Sequence, residues 1–231
     1  MMDIIKPEQR GSANFGWLRT NFLFSFGDYY DPKNMQWGAI RVFNDDLVGP
    51  KSGFPPHPHS EMEIITIVLE GAITHQDSMG NKEKVIAGEV QAMTAGEGLQ
   101  HAEYNLEQTQ LHLYQIWIRP SRQNLPPTYG QVKFKEKDWE GKLLAVASGQ
   151  GKKGAAKINS DSTVYRCLLQ KGKKLVHKTS PERHVLVYLT SGNLKLNGKE
   201  IGKEWQARVT GEKELLLEAK ENSHFVLIDA P

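Results

Sequence analysis

Short apolar segments of five to nine residues recur along the whole chain. They are rich in Ile, Val, Leu, Tyr and Phe, and each is bounded by Gly, Pro, Asn, Asp or charged residues, which is typical of β-strands. The segments are residues 39–43 (AIRVF), 62–70 (MEIITIVLE), 90–95 (VQAMTA), 111–118 (LHLYQIWI), 163–170 (TVYRCLLQ), 184–191 (HVLVYLTS), 213–219 (KELLLEA) and 224–229 (HFVLID).

Turn sequences separate these segments at intervals of about 8–12 residues, a spacing that favours an all-β barrel or sandwich. No stretch keeps a 3.6-residue apolar period over three turns, so no long amphipathic helix is expected. The segment KELLLEA has helix propensity, but it is short and lies between turns, and we predict a strand there.

The chain divides near its middle into two similar halves. Residues 120–127 (PSRQNLPP) carry three prolines, and residues 148–160 are rich in Gly, Ala and Lys, so both read as loops or a crossover. When the halves are aligned, Gly71 matches Gly192 and Gly96 matches Gly211. We therefore predict two copies of one small antiparallel β-barrel packed side by side, in domains of residues 1–125 and 126–231.

Composition excludes several classes of protein. Lys and Arg number 29 against 27 Asp and Glu, without the basic excess of a dedicated nucleic-acid binder. A single cysteine, Cys167, excludes an intramolecular disulfide framework. No run approaches 18 apolar residues and no secretory h-region is visible, so we expect a cytoplasmic protein without a membrane span. The lysines near residues 152 and 173 read as a solvated face, with an anion-binding patch as the alternative.

Five of the eight histidines fall between residues 57 and 112. His57 and His59 are two apart, so on an extended chain they project from the same face and can chelate one ion. Pro56 and Pro58 restrict the backbone to extended conformations and limit slippage of that pair. An HPH tripeptide alone is often a surface loop.

His101 and Glu103 form a second pair with the same spacing, after another apolar segment and a Gly-rich turn. Three imidazoles and one carboxylate suit iron, nickel, cobalt, copper or zinc. Four ligands leave one or two coordination positions open for a substrate. We expect two antiparallel hairpins to direct both pairs into the mouth of the N-terminal barrel.

Two motifs around these residues resemble those of the cupin superfamily: GFPPHPHSEMEIITIVLEG (53–71) and GEVQAMTAGEGLQHAEYN (88–105). Within it, WLRTNFLFSFGDYYDP (17–32), IRVFNDD (40–46) and HQDSMGN (75–81) resemble the pirin family. The likeness is strong over residues 15–120 and weak beyond. It implies a bicupin fold of the jelly-roll type, with metal ligands at His57, His59, His101 and Glu103.

The sequence departs from the family pattern at two places. Many cupins have a glutamate ligand five residues after the second histidine, where this chain has Ile64; Glu63 is one residue out of register and is expected to face away. The carboxylate ligand is therefore expected at Glu103. Pirins also usually carry His-Thr-Phe-Ser-Phe near the N-terminus, where this chain reads Phe22-Leu23-Phe24-Ser25-Phe26.

Other residues have two readings each. His75 either lines the pocket or pairs with Asp77, and His112 reads as a hydrogen-bonded strand histidine rather than a ligand. Glu61 and Glu63 either accept hydrogen bonds from ligand imidazoles or face solvent. The N-terminal aromatic residues either pack in the core or frame an apolar substrate slot; they are Phe22, Phe24, Phe26, Tyr29 and Tyr30.

The second half lacks most of this chemistry. The alignment places Lys178 and Ser180 at the positions of His57 and His59, and Leu216 and Glu218 at those of His101 and Glu103. We therefore expect a degenerate, metal-free C-terminal domain.

The resemblance implies a metal-dependent quercetin 2,3-dioxygenase that cleaves a flavonol with O2, with Glu103 as the general base. Iron is the favoured metal, with nickel, cobalt, copper, zinc or manganese as alternatives. The partners expected are a small flavonol-like substrate and O2, and the protein is expected to be a monomer that binds neither nucleic acid nor membrane. Two alternatives stay open: a non-enzymatic, metal-dependent binding or regulatory protein, and an enzyme acting on another small enol or diol.

Overall fold

The chain folds almost entirely into β-structure, as the segment pattern predicts. The computed structural model describes residues 1–231. Its only helices are two single 3-10 turns, Pro7–Gln9 and Glu136–Asp138. None of its helices is long and apolar enough to cross a membrane. The strands are β1 Met2–Ile5, β2 Gly11–Asn14, β3 Leu18–Phe22, β4 Ile40–Val48, β5 Ser52–His59, β6 Glu63–Glu70, β7 Ala72–Asp77, β8 Lys82–Ile86, β9 Glu89–Thr94, β10 Leu99–Asn105, β11 Leu111–Ile118, β12 Thr128–Lys133, β13 Leu144–Ser148, β14 Ala156–Lys157, β15 Thr163–Leu169, β16 Lys174–Lys178, β17 His184–Ser191, β18 Leu194–Leu196, β19 Lys199–Ile201, β20 Gln206–Val209, β21 Glu214–Ala219 and β22 Ser223–Ala230.

Each half pairs a seven-stranded sheet with a four-stranded one. The N-terminal sheets have the orders β12-β9-β6-β11-β4-β3-β2 and β5-β10-β7-β8. The C-terminal sheets, β1-β20-β17-β22-β15-β13-β14 and β16-β21-β18-β19, repeat these orders position by position. All strand pairs are antiparallel except β13 with β14. The predicted all-β fold of two related cupin-type halves is therefore confirmed, including a strand in the KELLLEA segment.

The halves exchange edge strands. β1 pairs with β20 in the C-terminal sheet, and β12, which follows the proline-rich loop, pairs with β9 in the N-terminal sheet. A domain boundary at residue 125 therefore remains a proposal, because the sheets themselves share strands across it.

The two seven-stranded sheets pack face to face. Their contact is a cluster of 21 buried residues that draws on both halves, with Phe43 and Ile65 from one side and Leu186 and Val226 from the other. The C-terminal half encloses a second cluster of 15 residues, whereas the N-terminal half encloses two small ones of 7 and 4. Polar side chains separate those two small clusters, and the candidate site lies among them.

The aligned glycines mark equivalent turns. Gly71 and Gly192 follow β6 and β17 with φ of +76° and +88°. A Cβ would lie 2.9 Å from the Gln110 carbonyl oxygen in the first case and 2.4 Å from that of Asn222 in the second. Both the positive φ and the close approach require glycine.

Candidate metal centre

The two predicted ligand pairs lie on neighbouring strands of one sheet, rather than on separate hairpins. β5 runs antiparallel to β10, so that His57 faces His101 and His59 faces Leu99. The register then shifts, because Glu103 pairs with Phe54 and β5 carries one extra residue beside Pro55 and Pro56. Prolines cannot donate ladder hydrogen bonds, and a bulge accommodates them.

The three imidazoles of His57, His59 and His101 converge. One ligand nitrogen from each lies within 4.8 Å of the others, and the Nε2 atoms of His57 and His101 are 3.0 Å apart. The ring centroids are 4.5–4.8 Å apart. The indole of Trp117 meets the His59 ring edge-on at 4.8 Å and holds it from the side.

Hydrogen bonds fix the tautomers of two of these rings. His57 donates Nδ1–H to the Pro55 carbonyl oxygen at 2.7 Å, which leaves its Nε2 with a free lone pair. The Asp77 carboxylate accepts a hydrogen bond from His75 Nε2 at 3.0 Å, so His75 Nδ1 is free to accept one from His101 Nδ1 at 3.4 Å. His101 therefore also presents an unprotonated Nε2. Such outer partners orient metal-binding histidines and set their tautomers.

Burial favours the neutral, metal-binding form of two of these rings, His59 and His101. Burial, together with the neighbouring imidazoles of His101 and His57, lowers the pKa of His59 to about 4. Burial likewise lowers the pKa of His101 to about 3, with contributions from His57 and His75. Burial alone would raise the pKa of Asp77, but hydrogen bonds from Asn81 and His75 outweigh it and keep that carboxylate ionised.

A divalent metal fits this arrangement. His59 Nε2 is buried without a hydrogen-bond partner, which is costly unless a ligand satisfies it. Three imidazoles with convergent ring nitrogens match the three-histidine sets of catalytic metal sites. His57, His59 and His101 are the residues that would hold the ion.

Glu103 lies beside this triad in a buried hydrogen-bond network. Its Oε1 accepts hydrogen bonds from Gln91 Nε2 at 2.5 Å and Thr66 Oγ1 at 3.5 Å, and its Oε2 accepts one from Gln115 Nε2 at 2.8 Å. A carboxylate oxygen of Glu103 lies within 4.8 Å of a ring nitrogen of His75 and of one of His101. It does not form such a group with all three imidazoles of the triad. Its role as fourth ligand remains a prediction.

A cavity of about 490 Å³ opens onto His57, His59, His101 and Glu103. Several aromatic side chains line it, among them Phe22, Phe26, Tyr29, Phe54 and Trp117. The Phe22 and Tyr29 rings are nearly parallel, and Phe26 meets Trp117 edge-on. A flat apolar molecule can enter beside the imidazoles.

The N-terminal aromatic residues therefore divide between the two readings. Phe22, Phe26 and Tyr29 line the cavity, whereas Phe24 is fully buried in the core between the halves and Tyr30 is 72% exposed.

The remaining singled-out residues also have defined places. Ile64 lines the cavity, while Glu63 is buried away from it and accepts hydrogen bonds from Thr94 Oγ1 and the Asn159 backbone. Burial raises the pKa of Glu63. His112 is a strand histidine whose Nε2 donates to the Asp45 carboxylate at 2.6 Å, and Glu61 accepts a hydrogen bond from the Asn124 backbone.

Sequence reasoning missed the residues that hold Glu103. Thr66, Gln91 and Gln115 are polar residues in the middle of mostly apolar strands, and all three hydrogen-bond to the buried Glu103. A polar residue at an inward position of an apolar strand is the signal that could have found them, since buried polar groups need partners.

Strand pairing corrects the alignment of the second half by one residue. His177 faces Leu215 on β21 as His57 faces His101 on β10. The inward positions equivalent to His101 and Glu103 are therefore Leu215 and Leu217, both fully buried, rather than Leu216 and Glu218. His177 is the one imidazole in an equivalent place, and it is bonded to Asp229 at 2.6 Å.

Family models match both halves of the chain. The Pirin model matches residues 6–118, and the model described as "Quercetinase C-terminal cupin domain" matches residues 145–230. A "Pirin-like protein" of Caulobacter vibrioides is 42% identical over 231 residues and covers 100% of both chains. A protein of Escherichia coli K12 named "Quercetin 2,3-dioxygenase" is 43% identical and covers 100% of this chain and 99% of its own length.

Solved structures agree. The crystal structure of YhhW from Escherichia coli has a TM-score of 0.95 and 41% identity, covering 100% of this chain and 98% of that one. A structure of bacterial pirin YhhW in complex with nickel(II) has a TM-score of 0.94 and 40% identity, covering 100% and 99%. With two cupin-type halves, a histidine triad in the first of them, and relatives above 40% identity along its whole length, the chain belongs to the pirin family of the cupin superfamily.

Proposed function

We propose that this protein is a metal-dependent dioxygenase that opens a flavonol ring, with quercetin 2,3-dioxygenase activity. One observation carries the proposal: three imidazoles converge at a cavity that several aromatic side chains line. That combination suits a flat, oxygen-rich substrate held beside a metal. The name of the Escherichia coli relative supports the same activity.

Iron is the metal we propose first, with nickel, cobalt, copper, zinc and manganese as alternatives. The nickel(II) complex of the YhhW relative supports a divalent ion as the cofactor. When bound, such an ion supplies Lewis acidity that favours the deprotonated 3-hydroxyl oxygen of a flavonol and brings it together with O2.

Glu103 is the proposed general base as well as the proposed fourth ligand. Its Oε2 accepts one hydrogen bond, from Gln115, and each carboxylate oxygen can accept two, so Oε2 retains capacity for a substrate proton. Gln91 and Thr66 hold the other oxygen and fix the carboxylate plane. The aromatic walls exclude water and orient the flavonol ring.

Turnover measurement tests this proposal. The protein is purified without added metal, its metal content is measured, and portions are loaded with each candidate ion. Oxygen uptake and loss of flavonol absorbance are then followed on a panel of flavonols, enols and diols. We expect flavonol-dependent oxygen uptake that His59→Ala abolishes and His112→Ala, which changes a histidine outside this cavity, retains.

The outcomes separate the alternatives. Uptake only with non-flavonol enols or diols would leave a dioxygenase with another substrate. Stoichiometric metal without turnover on any member of the panel would favour a non-enzymatic, metal-dependent binding protein, with a protein partner to be sought. The proposed partners are a small flavonol-like molecule and O2, and the proposed state is a monomer.

A further inference from the structure

A row of polar side chains crosses the inner face of the N-terminal seven-stranded sheet. Pairing aligns Gln131, Gln91, Thr66, Gln115 and Asn44 on consecutive strands β12, β9, β6, β11 and β4. From Gln131 to Gln115 the row is hydrogen-bonded, through Tyr129, Thr66 and Glu103. The row is thus satisfied along most of its length.

The row is unsatisfied at its other end. Asn44 and Asp46 are two apart on β4 and share a face, and Thr20 pairs with Asp46 across β3. All three residues are buried at 3–4% exposure and all three line the cavity. Thr20 Oγ1, Asn44 Oδ1 and Asp46 Oδ1 have no hydrogen-bond partner. Buried polar groups left unpaired destabilise a fold, so their persistence needs a reason.

Aromatic side chains line the same cavity, and one of them, Phe22, is the cross-strand partner of Asn44. Phe22, Phe26 and Trp117 present ring surfaces to the space that the three polar residues border. Ring faces bind an aromatic molecule, and free acceptor oxygens bind hydroxyl hydrogens. A molecule that can stack on these rings and also donate to the free acceptor oxygens is an aromatic ring that carries hydroxyl groups.

We propose that Thr20, Asn44 and Asp46 form a subsite that binds ring hydroxyl groups of the substrate, with the Asp46 carboxyl as the main acceptor. This inference rests on the proposed function and adds to it the residues that select among flavonols. The reacting 3-hydroxyl group would lie at Glu103 and the imidazoles, and this subsite would bind the remaining ring hydroxyl groups.

The electrostatics of Asp46 agree with this role. Burial raises the pKa of Asp46 to about 7. The Thr20 hydroxyl lies near the carboxyl without the geometry of a hydrogen bond and opposes the rise, while the charges of Asp45 and Glu103 add to it. Near neutral pH the carboxyl can therefore sit in the cavity without a counter-ion and pair with a hydroxyl group.

Binding of two ligands to matched variants tests the subsite. Quercetin carries several ring hydroxyls, whereas 3-hydroxyflavone keeps the 3-hydroxyl and lacks the others. Dissociation constants for both are measured without oxygen on the metal-loaded wild type, Asp46→Leu and Asn44→Leu. Asp28→Leu is the control, because it removes an exposed carboxylate from the same cavity.

We expect Asp46→Leu to weaken quercetin binding about 5- to 10-fold, as the loss of one hydrogen bond does, and 3-hydroxyflavone binding less than twofold. Asn44→Leu should discriminate in the same direction, and it serves as the test if Asp46→Leu fails to fold. Asp28→Leu should leave both constants unchanged. The melting temperature of Asp46→Leu should stay equal or rise, because an unpaired buried carboxyl has been removed.

If Asp46→Leu and Asn44→Leu weaken the binding of both ligands equally, or of neither, the subsite is overturned even when wild-type turnover is intact. If these variants weaken quercetin binding more than 3-hydroxyflavone binding but the wild type shows no oxygen uptake, the subsite stands and the proposed dioxygenase activity is overturned. Failure of the wild type to bind either flavonol would overturn both.

Discussion

The hydrogen-bonded chain from Asp77 through His75 to His101 makes a sharp prediction about metal affinity. His75→Phe keeps a flat ring that can stack on Tyr129, which lies 4.5 Å from His75 with an interplanar angle of 23°. The change removes both ring nitrogens: Nδ1, which accepts the His101 hydrogen bond, and Nε2, which donates to Asp77. His101 then loses the partner that holds its proton on Nδ1. The proton can move to Nε2, the atom expected to bind the metal.

Of the two hydrogen-bond partners of His75, only His101 is left without a replacement. Asp77 keeps three other donors when His75 is replaced: the backbone N–H groups of Met79 and Asn81, and the Asn81 side chain, at 2.8–3.1 Å. The uncompensated loss is thus one buried donor on a metal ligand. Removing such an outer partner typically weakens metal binding about 10- to 100-fold, and we expect a decrease of that size.

Competition with a chelator measures the effect on nickel(II) binding to metal-free protein. His112→Phe is the matched control, because His112 pairs with Asp45 and does not line the metal cavity. An affinity of His75→Phe within twofold of that control would refute the tautomer argument. A loss as complete as that of His101→Ala would instead make His75 a ligand, as the His75–His101–Glu103 grouping allows.

Three further predictions concern the base, the strand contact and pH. Glu103→Gln should keep most of the bound metal yet lower turnover per metal about 10²- to 10⁴-fold; unchanged turnover per metal would remove the base role. A Cβ on Gly53 would lie 2.2 Å from the Glu103 carbonyl oxygen, so Gly53→Ala should lower both melting temperature and metal affinity, whereas Gly130→Ala, whose Cβ meets nothing within 4 Å, should change neither. The unfolded chain protonates its histidines near pH 6.5, whereas His59 and His101 in the folded protein stay neutral down to about pH 4 and pH 3. The unfolding free energy of the metal-free protein should therefore be fully present above pH 6.5 and fall as the pH drops below it. Urea titrations at a series of pH values should show a shallower fall for His59→Phe.

The strands were predictable because their signal is local. Each apolar segment named from the sequence lies largely within a strand, since β-branched and aromatic side chains bounded by turn residues suit half-buried sheets. The shared faces of His57 with His59 and of His101 with Glu103 followed from the two-residue period of extended chains.

Pairing between distant strands could not be read from the chain. Nothing local indicates that β5, with its three prolines, lies directly beside β10, or that β1 joins the far sheet. The same limit explains the one-residue error at Leu216, because a shift of one residue moves every side chain of a strand to the other face. Only cross-strand register identifies Leu215 as the inward residue.

The two halves together separate what the fold needs from what the chemistry needs. Gln115, Thr66 and Gln91 pair across the N-terminal sheet, and Leu227, Val187 and Ala207 pair across the C-terminal sheet at the equivalent places.

The C-terminal residues lie in one continuous apolar cluster with Leu215 and Leu217, which replace His101 and Glu103. The same strand order therefore forms around one continuous apolar cluster. The buried imidazoles, carboxylates and amides of the N-terminal half are not required to form it, and they divide its interior into two small apolar clusters. Polar residues that break the packing rule of their own fold mark a functional site, and here they surround one cavity.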